Sequence, residues 1–140
     1  MRLSSRVVVC LIVLASLALV PMSGAAKRGS YKGALYGFNS RQLETGTRVT
    51  FGVRNGNVRN FVYFDPSYYC AGTGVYERAY FKIPSASIRN NRINKVHKSG
   101  GVTITLKGTF VGRRGSGTLV QTGAALGCSK NWRWKAKLIP

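Results

Sequence analysis

The side chains that could carry catalysis are few and widely spaced in this sequence of 140 residues. The acids are Glu44, Asp65 and Glu77, and His97 is the one histidine. Asp65-Pro66-Ser67 also has the composition of a turn. Glycoside hydrolysis needs two carboxylates across the scissile bond, and nuclease chemistry pairs a general base with a general acid. Only a convergence of Asp65, Glu77 and His97 would meet either need, so no catalytic residue is predicted.

Metal and serine chemistry find equally little support. Two cysteines outside the N-terminal apolar run and one histidine are too few soft ligands for a closed zinc site. Gly115-Ser116-Gly117 does not match the Gly-x-Ser-x-Gly turn of serine hydrolases. We therefore expect no metal, no cofactor and no enzyme. A small extracellular hydrolase of polysaccharide or nucleic acid is the alternative.

The first 26 residues have the layout of a secretory signal peptide. Arg2 and Arg6 precede an apolar run from Val7 to Val20, and small residues follow it. The run spans about 14 residues, fewer than the ~20 that cross a bilayer. We predict a signal peptide at 1–26 and a single mature domain at 27–140 without a membrane span. The mature protein would be secreted, either free or associated with the cell wall.

The cysteine count agrees with export. Cys10 lies in the apolar run, which leaves Cys70 and Cys128 in the mature chain. Two cysteines in an exported chain most simply form one disulfide. We predict the Cys70–Cys128 bond, which would close a loop of about 59 residues and contribute ~4 kcal/mol in the chain-entropy model.

Alternating apolar and polar residues, separated by Gly and Asn turns, predict an all-β domain. Val49, Phe51 and Val53 share one face before Asn55-Gly56, a strong hairpin signal. Such spacing of turns is typical of an antiparallel β-sandwich or small barrel, with about seven to nine strands. The polar stretch at 85–98 leaves its strand assignment open, with Arg92 to Lys98 as a candidate short strand.

Charge is the strongest compositional signal. The chain holds 22 Lys and Arg against three acids, for a formal net charge of +19. Without Arg2 and Arg6 the mature chain keeps +17, whereas the solubility of a small domain needs only about 2–8. So basic a surface attracts anionic partners.

The alternation also predicts where the cations lie. The last strand places apolar residues at even positions from 132 to 138 and cations at odd positions. Neighbouring turns and strands add further outward cations. The predicted polyanion-binding residues are Lys107, Arg113, Arg114, Arg133, Lys135 and Lys137. A solvated surface without any ligand is the alternative.

Five tyrosines cluster in one third of the sequence. They are Tyr63, Tyr68, Tyr69, Tyr76 and Tyr80. Alternating aromatic residues in strands mostly form core and cross-strand pairs. We expect one or two of these tyrosines to be exposed, where they could stack on bases or sugar rings.

A series of structural motifs runs over nearly the whole mature chain. In order they are Gly33, Val49-x-Phe51-x-Val53, Asn55-Gly56-x-Val58, Cys70, Phe81, Ile104-x-Leu106-x-Gly108-x-Phe110, Gly117-Thr118-Leu119, Cys128 and Trp134-x-Ala136-Lys137. In this order the chain resembles a group of small, uncharacterised exported β-sandwich proteins of actinobacteria. The resemblance implies a sandwich fold, one disulfide and export, and it brings no catalytic residues.

Together these features predict a monomeric, exported, cationic domain. Its expected partner is an anionic polymer of the cell envelope, a polysaccharide or nucleic acid. A purely structural or adhesion domain, whose charge reflects only its environment, is the remaining alternative to the hydrolase.

Overall fold

Eight β-strands account for most of the described chain, residues 24–123 and 128–140 of a computed structural model. They are β1 (Gly29–Gly37), β2 (Arg48–Arg54), β3 (Asn57–Cys70), β4 (Val75–Ser87), β5 (Arg92–Ser99), β6 (Val102–Val111), β7 (Arg114–Thr122) and β8 (Ser129–Leu138). The predicted all-β class and strand number are confirmed. Within the described ranges, no helix is long and apolar enough to cross a membrane. Residues 1–23 of the predicted signal peptide lie outside these ranges.

The strands form one sheet rather than two facing sheets. Their order is β4-β3-β2-β1-β8-β7-β6-β5, and each adjacent pair is antiparallel. β4 and β5 occupy the two ends of this order, and their short connection is closed by a bridge between Arg89 and Arg92. The sheet is therefore a nearly closed, barrel-like sheet, the second of the two architectures predicted from the sequence.

Two irregularities bend β3 as it crosses the sheet. The first lies opposite Thr50 and Gly52, and the second lies between Asp65 and Tyr68. Bulges kink a strand and increase its twist, which helps a sheet to curl. The interpretation of residues 65–67 as a turn is wrong, because Pro66 sits at the second bulge, where a missing N–H is tolerated. β3 therefore continues to Cys70.

Local turn chemistry explains the hairpins. Asn55 and Gly56 have positive φ angles of 50° and 69°, as a type I′ turn requires. The predicted hairpin between β2 and β3 is therefore confirmed. The predicted short strand from Arg92 is also confirmed, as β5.

One end of the barrel interior, here called the aromatic end, is filled by stacked and edge-on rings. Its members are Tyr31, Phe51, Phe61, Phe110 and Trp134, all buried. Contacting ring centroids lie 4.9 to 6.3 Å apart. The indole Nε1–H of Trp134 donates a hydrogen bond of 3.0 Å to the carbonyl oxygen of Lys107. These contacts join β1, β2, β3, β6 and β8 into one core.

The other end, here called the polar end, combines rings with buried hydrogen bonds. Its members are Tyr63, Asp65, Tyr68, Gln121 and Trp132. Trp132 Nε1 donates to Asp65 Oδ2 at 2.9 Å, and the Tyr63 hydroxyl donates to Gln121 Oε1 at 2.8 Å. The Gln121 amide donates to the Tyr68 hydroxyl at 3.2 Å.

A disulfide lies at the ends of two strands that the polar end joins. Cys70, the last residue of β3, is bonded to Cys128, which directly precedes β8, with 4.8 Å between their Cα atoms. The predicted Cys70–Cys128 bond is confirmed. It links the β3–β4 hairpin to the last strand.

Candidate polyanion interface

Three neighbouring strands, β1, β8 and β7, place cations side by side on the outer surface. Lys32 in β1 lies opposite Lys137 in β8, and Lys137 lies opposite Arg114 in β7. All three side chains are exposed. Directly opposite residues in an antiparallel pair have Cβ atoms about 4.5–5.5 Å apart. The register therefore makes three like charges into immediate neighbours.

Two further outward rows extend this charge along the strands. Lys135 lies between Ala34 and Ser116 in the middle row. Arg133 lies opposite Tyr36 in the third row, to which β6 adds Lys107. The outward cations of these strands, here called the cationic face, are Lys32, Lys107, Arg114, Arg133, Lys135 and Lys137.

Small residues keep the middle of the cationic face low. Ala34 and Ser116 flank Lys135, and the surface forms a shallow depression of about 440 Å³ there. The Lys135 ammonium lies 5.0 Å from the ring centroid of Tyr36, a cation–π distance. A side chain at Gly33 would overlap the backbone of Lys135, so β1 and β8 can approach only with glycine there. The sequence thus shapes an open, shallow and basic surface.

Five of the six predicted contact residues lie on this face, and Arg113 does not. Arg113 occupies the turn between β6 and β7, where its charge acts on the Tyr31 hydroxyl. Burial raises the pKa of Tyr31, and the charge of Arg113 opposes that shift. The Tyr31 hydroxyl also donates a hydrogen bond of 2.8 Å to the Lys27 carbonyl oxygen. Arg113 therefore contributes its charge at the rim of the barrel rather than on its wall.

No acid offsets the charge of the cationic face. Glu44 forms an ion pair of 3.7 Å with Lys130, and Asp65 is buried in the polar end. Glu77 lies in β4, on the far side of β3 and β2 from the face. These are the three acids of the whole sequence. The positive charge of the face is thus uncompensated by any carboxylate side chain.

A second basic concavity lies on the outer surface near the bulge between β2 and β3. It measures about 760 Å³, and its lining includes Arg28, Arg54 and Arg59. None of these three guanidinium groups forms an ion pair with a described residue. This concavity has three charges, as does the row across β1, β8 and β7, but it offers them at a different place on the barrel. It therefore provides a natural internal control for charge effects.

The residues considered for catalysis have separate surroundings. Asp65 accepts hydrogen bonds from Trp132 Nε1 and from the backbone N–H of Ser67 at 2.9 and 3.0 Å. Glu77 in β4 lies opposite Tyr68 in β3, whereas His97 in β5 lies opposite Ile104 in β6. Across residues 24–123 and 128–140, no three His, Cys, Asp or Glu side chains are grouped so that they could hold a metal ion.

Lys32 and Tyr36 are the members of the interface that sequence reasoning missed. Both follow the period of two that makes Tyr31 and Leu35 inward residues of β1. That period was the available signal. Their position beside β8 depends on pairing between the first and last strands, which no local pattern specifies.

Similarity to known proteins adds nothing to this geometry. The resemblance to exported actinobacterial proteins stays a prediction. No protein-family model, no curated protein and no solved structure matches the sequence or the fold.

Proposed function

We propose that this protein is an exported, non-enzymatic domain that binds an anionic polymer of the cell envelope through its cationic face. The observation that carries the proposal is the row Lys32, Lys137 and Arg114 across three strands. Like charges directly opposite each other destabilise a sheet. A ligand with repeated negative charges removes this repulsion, because each phosphate or carboxylate sits between two cations.

The shape of the face supports a long ligand rather than a small enclosed one. Its central depression is shallow, and its cations stand in rows about 4.8 Å apart across the strands and about 6.8 Å apart along them. A teichoic-type polymer or an acidic polysaccharide can lie across such a surface and meet several charges at once. One protomer carries the whole face, so the proposal requires no oligomer.

Salt titration of a charge-neutralised variant tests the proposal. The variant is Lys32→Gln/Arg114→Gln/Lys137→Gln, and the probes are purified poly(glycerol phosphate) and alginate. Wild-type affinity should fall steeply with salt, because each neutralised phosphate releases counterions. The variant should bind at least about tenfold more weakly, and its slope of log affinity against log salt should fall by roughly two for three lost contacts.

The matched control removes the same charge elsewhere. Arg28→Gln/Arg54→Gln/Arg59→Gln lowers the net charge by three at the second concavity. It should lose clearly less affinity than the variant of the cationic face. Equal losses would mean that binding follows net charge alone, and the proposed face would then be wrong. A wild-type protein whose thermal stability no anionic polymer changes would instead favour a purely structural domain.

A further inference from the structure

The outer surface of the β3–β4 hairpin exposes three tyrosines. Tyr69, Tyr76 and Tyr80 are 53%, 71% and 66% exposed, whereas Tyr63 and Tyr68 are buried. The expectation of one or two exposed tyrosines was therefore too low. Tyrosine is enriched at interfaces, because its ring is apolar and its hydroxyl can remain hydrated. The three exposed rings therefore indicate a surface that can contact a partner.

Cations alternate with the rings along the same edge of the sheet. From Tyr76 to Lys82 the outward residues of β4 are Tyr76, Arg78, Tyr80 and Lys82, all exposed, so ring and charge follow each other about every 6.8 Å. Tyr69 extends the series from β3, where its ring meets that of Tyr76 edge-on at 5.5 Å. These five residues are here called the tyrosine ladder.

Strands β3 and β2 add a further ring and a further charge beside the ladder. Phe64 in β3 lies opposite Tyr80, and the Arg48 guanidinium lies 5.1 Å from the Phe64 ring centroid. Arg48 belongs to β2 and lies opposite Phe64. Aromatic and cationic groups are therefore interleaved across three strands and not only along one.

The ladder borders an open edge. Among the described strands, only β3 pairs with β4, which ends the strand order. Glu77 is the acid of β4, and it shares the inward parity of the buried Ala79 and Ile83. The ladder itself therefore presents rings and positive charges with no carboxylate among them. An extended polymer can follow the strand without passing a repulsive group.

We propose that the tyrosine ladder is a binding site for single-stranded nucleic acid. An extended single strand alternates bases with phosphates, and the ladder alternates rings with cations. Base stacking on aromatic side chains tolerates any sequence, since every base has a π-face. A neutral glycan would leave Arg78 and Lys82 without a negatively charged partner, whereas each nucleotide of a single strand supplies a phosphate. The charge and chemistry of the ladder thus fit nucleic acid better than sugar.

This inference goes beyond the proposed envelope-polymer function and does not depend on it. The ladder lies on β3 and β4, whereas the cationic face lies on β1, β8, β7 and β6. The two sites also differ in mechanism. The face recognises charge alone, and the ladder recognises bases as well as charge.

Fluorescence anisotropy with two labelled strands of equal length tests the ladder. One strand is oligothymidylate and the other is an abasic strand, which keeps the phosphates and lacks the bases. The wild-type protein should bind oligothymidylate more tightly. Tyr76→Ser/Tyr80→Ser should lose about 5- to 150-fold in affinity per tyrosine for oligothymidylate and little for the abasic strand.

Three variants make the result specific. Tyr76→Phe/Tyr80→Phe keeps the rings and should keep the preference for bases. Val96→Ser/Val111→Ser removes exposed apolar side chains from β5 and β6 and should change nothing. The Lys32→Gln/Arg114→Gln/Lys137→Gln variant of the cationic face should lose affinity for both oligonucleotides by the same factor, or for neither.

Two outcomes would overturn the inference. The first is equal affinity of the wild-type protein for the normal and the abasic strand. The second is a serine variant that loses affinity for a neutral glucan but not for oligothymidylate, which would identify a glycan platform. Neither result would affect the envelope-polymer proposal, which the cationic-face variants test separately.

Discussion

The two ends of the barrel interior provide buried polar atoms with different kinds of hydrogen-bond partner. At the aromatic end, the polar atoms of Tyr31 and Trp134 both reach backbone carbonyl oxygens. At the polar end, buried side chains satisfy one another, as Asp65 does with Trp132. A truncation at the aromatic end therefore leaves mainly a cavity. A truncation at the polar end also leaves a buried group without its partner, which adds a desolvation penalty.

The buried rows alternate along their strands with residues of the two outer surfaces. In β8, the buried Trp134 and Ala136 alternate with Lys135 and Lys137 of the cationic face. In β3, the buried Tyr68 is followed by Tyr69 of the tyrosine ladder. Because successive side chains of a strand point to opposite faces, an outward substitution leaves the inward row in place. Binding and stability can therefore be altered separately at either end.

The largest effect should come from opening the aromatic end. Trp134→Ala removes a fully buried ring that contacts Phe51, Phe61 and Phe110. We expect a loss of about 3–5 kcal/mol in the free energy of unfolding, measured as a lower urea midpoint. The exposed substitution Tyr80→Ser is the control and should change stability by less than about 0.5 kcal/mol. A loss below about 1 kcal/mol for Trp134→Ala would show that the rings do not hold the barrel together.

A smaller effect should follow loss of the disulfide beside the polar end. Cys70→Ser/Cys128→Ser removes a crosslink with a sequence separation of 58. We expect about 2–4 kcal/mol less stability, because the unfolded chain gains conformational freedom. Because this effect acts on the unfolded state, hydrogen exchange that requires global unfolding should accelerate in every strand. An unchanged urea midpoint for the double serine variant would contradict the expectation.

Much of the fold follows from strand period and turn chemistry. The Asn55-Gly56 hairpin and the alternation of β8 are local patterns, and both were predicted. β1 was not, because its inward row contains Gly33 and Gly37, which give no apolar alternation. The need for Gly33 arises from the close approach of the Lys135 backbone, a contact between strands far apart in sequence. Such a tertiary constraint has no local sequence signal.

A bulge in β3 prevents the inward or outward direction of its tyrosines from being predicted from odd and even positions. Tyr63 and Tyr68 differ in parity, yet both point inward, because the register of β3 shifts between Asp65 and Tyr68. The shift also turns Tyr69 outward. Predicting it requires the pairing of β3 with β4, which sequence alone does not provide. The cationic residues of β8 were predictable because no bulge interrupts that strand.

The smallest predicted effect separates the two ends by their response to alkali. Burial raises the pKa of Tyr63 above its ordinary value of 10.0, and the nearby Tyr68 adds to the shift. In the unfolded chain Tyr63 ionises near pH 10, whereas in the folded protein it stays protonated. Its contribution to stability is therefore complete below pH 10 and declines above it, by about 1.4 kcal/mol per pH unit.

In the Tyr63→Phe variant, the decline in stability above pH 10 that Tyr63 causes should be replaced by a loss of stability that does not depend on pH. The variant lacks the hydrogen bond to Gln121 and should be about 1 kcal/mol less stable at neutral pH. Above pH 10 its stability should fall less steeply than that of the wild-type protein, as urea midpoints at successive pH values will show. Tyr31→Phe is the matched variant at the aromatic end, where the charge of Arg113 opposes the rise in pKa. It should flatten the alkaline slope less than Tyr63→Phe does, because the charge of Arg113 favours the ionised form of Tyr31. If both variants kept the wild-type slope, neither phenol would be held protonated by burial, and the contrast between the two ends would concern packing alone.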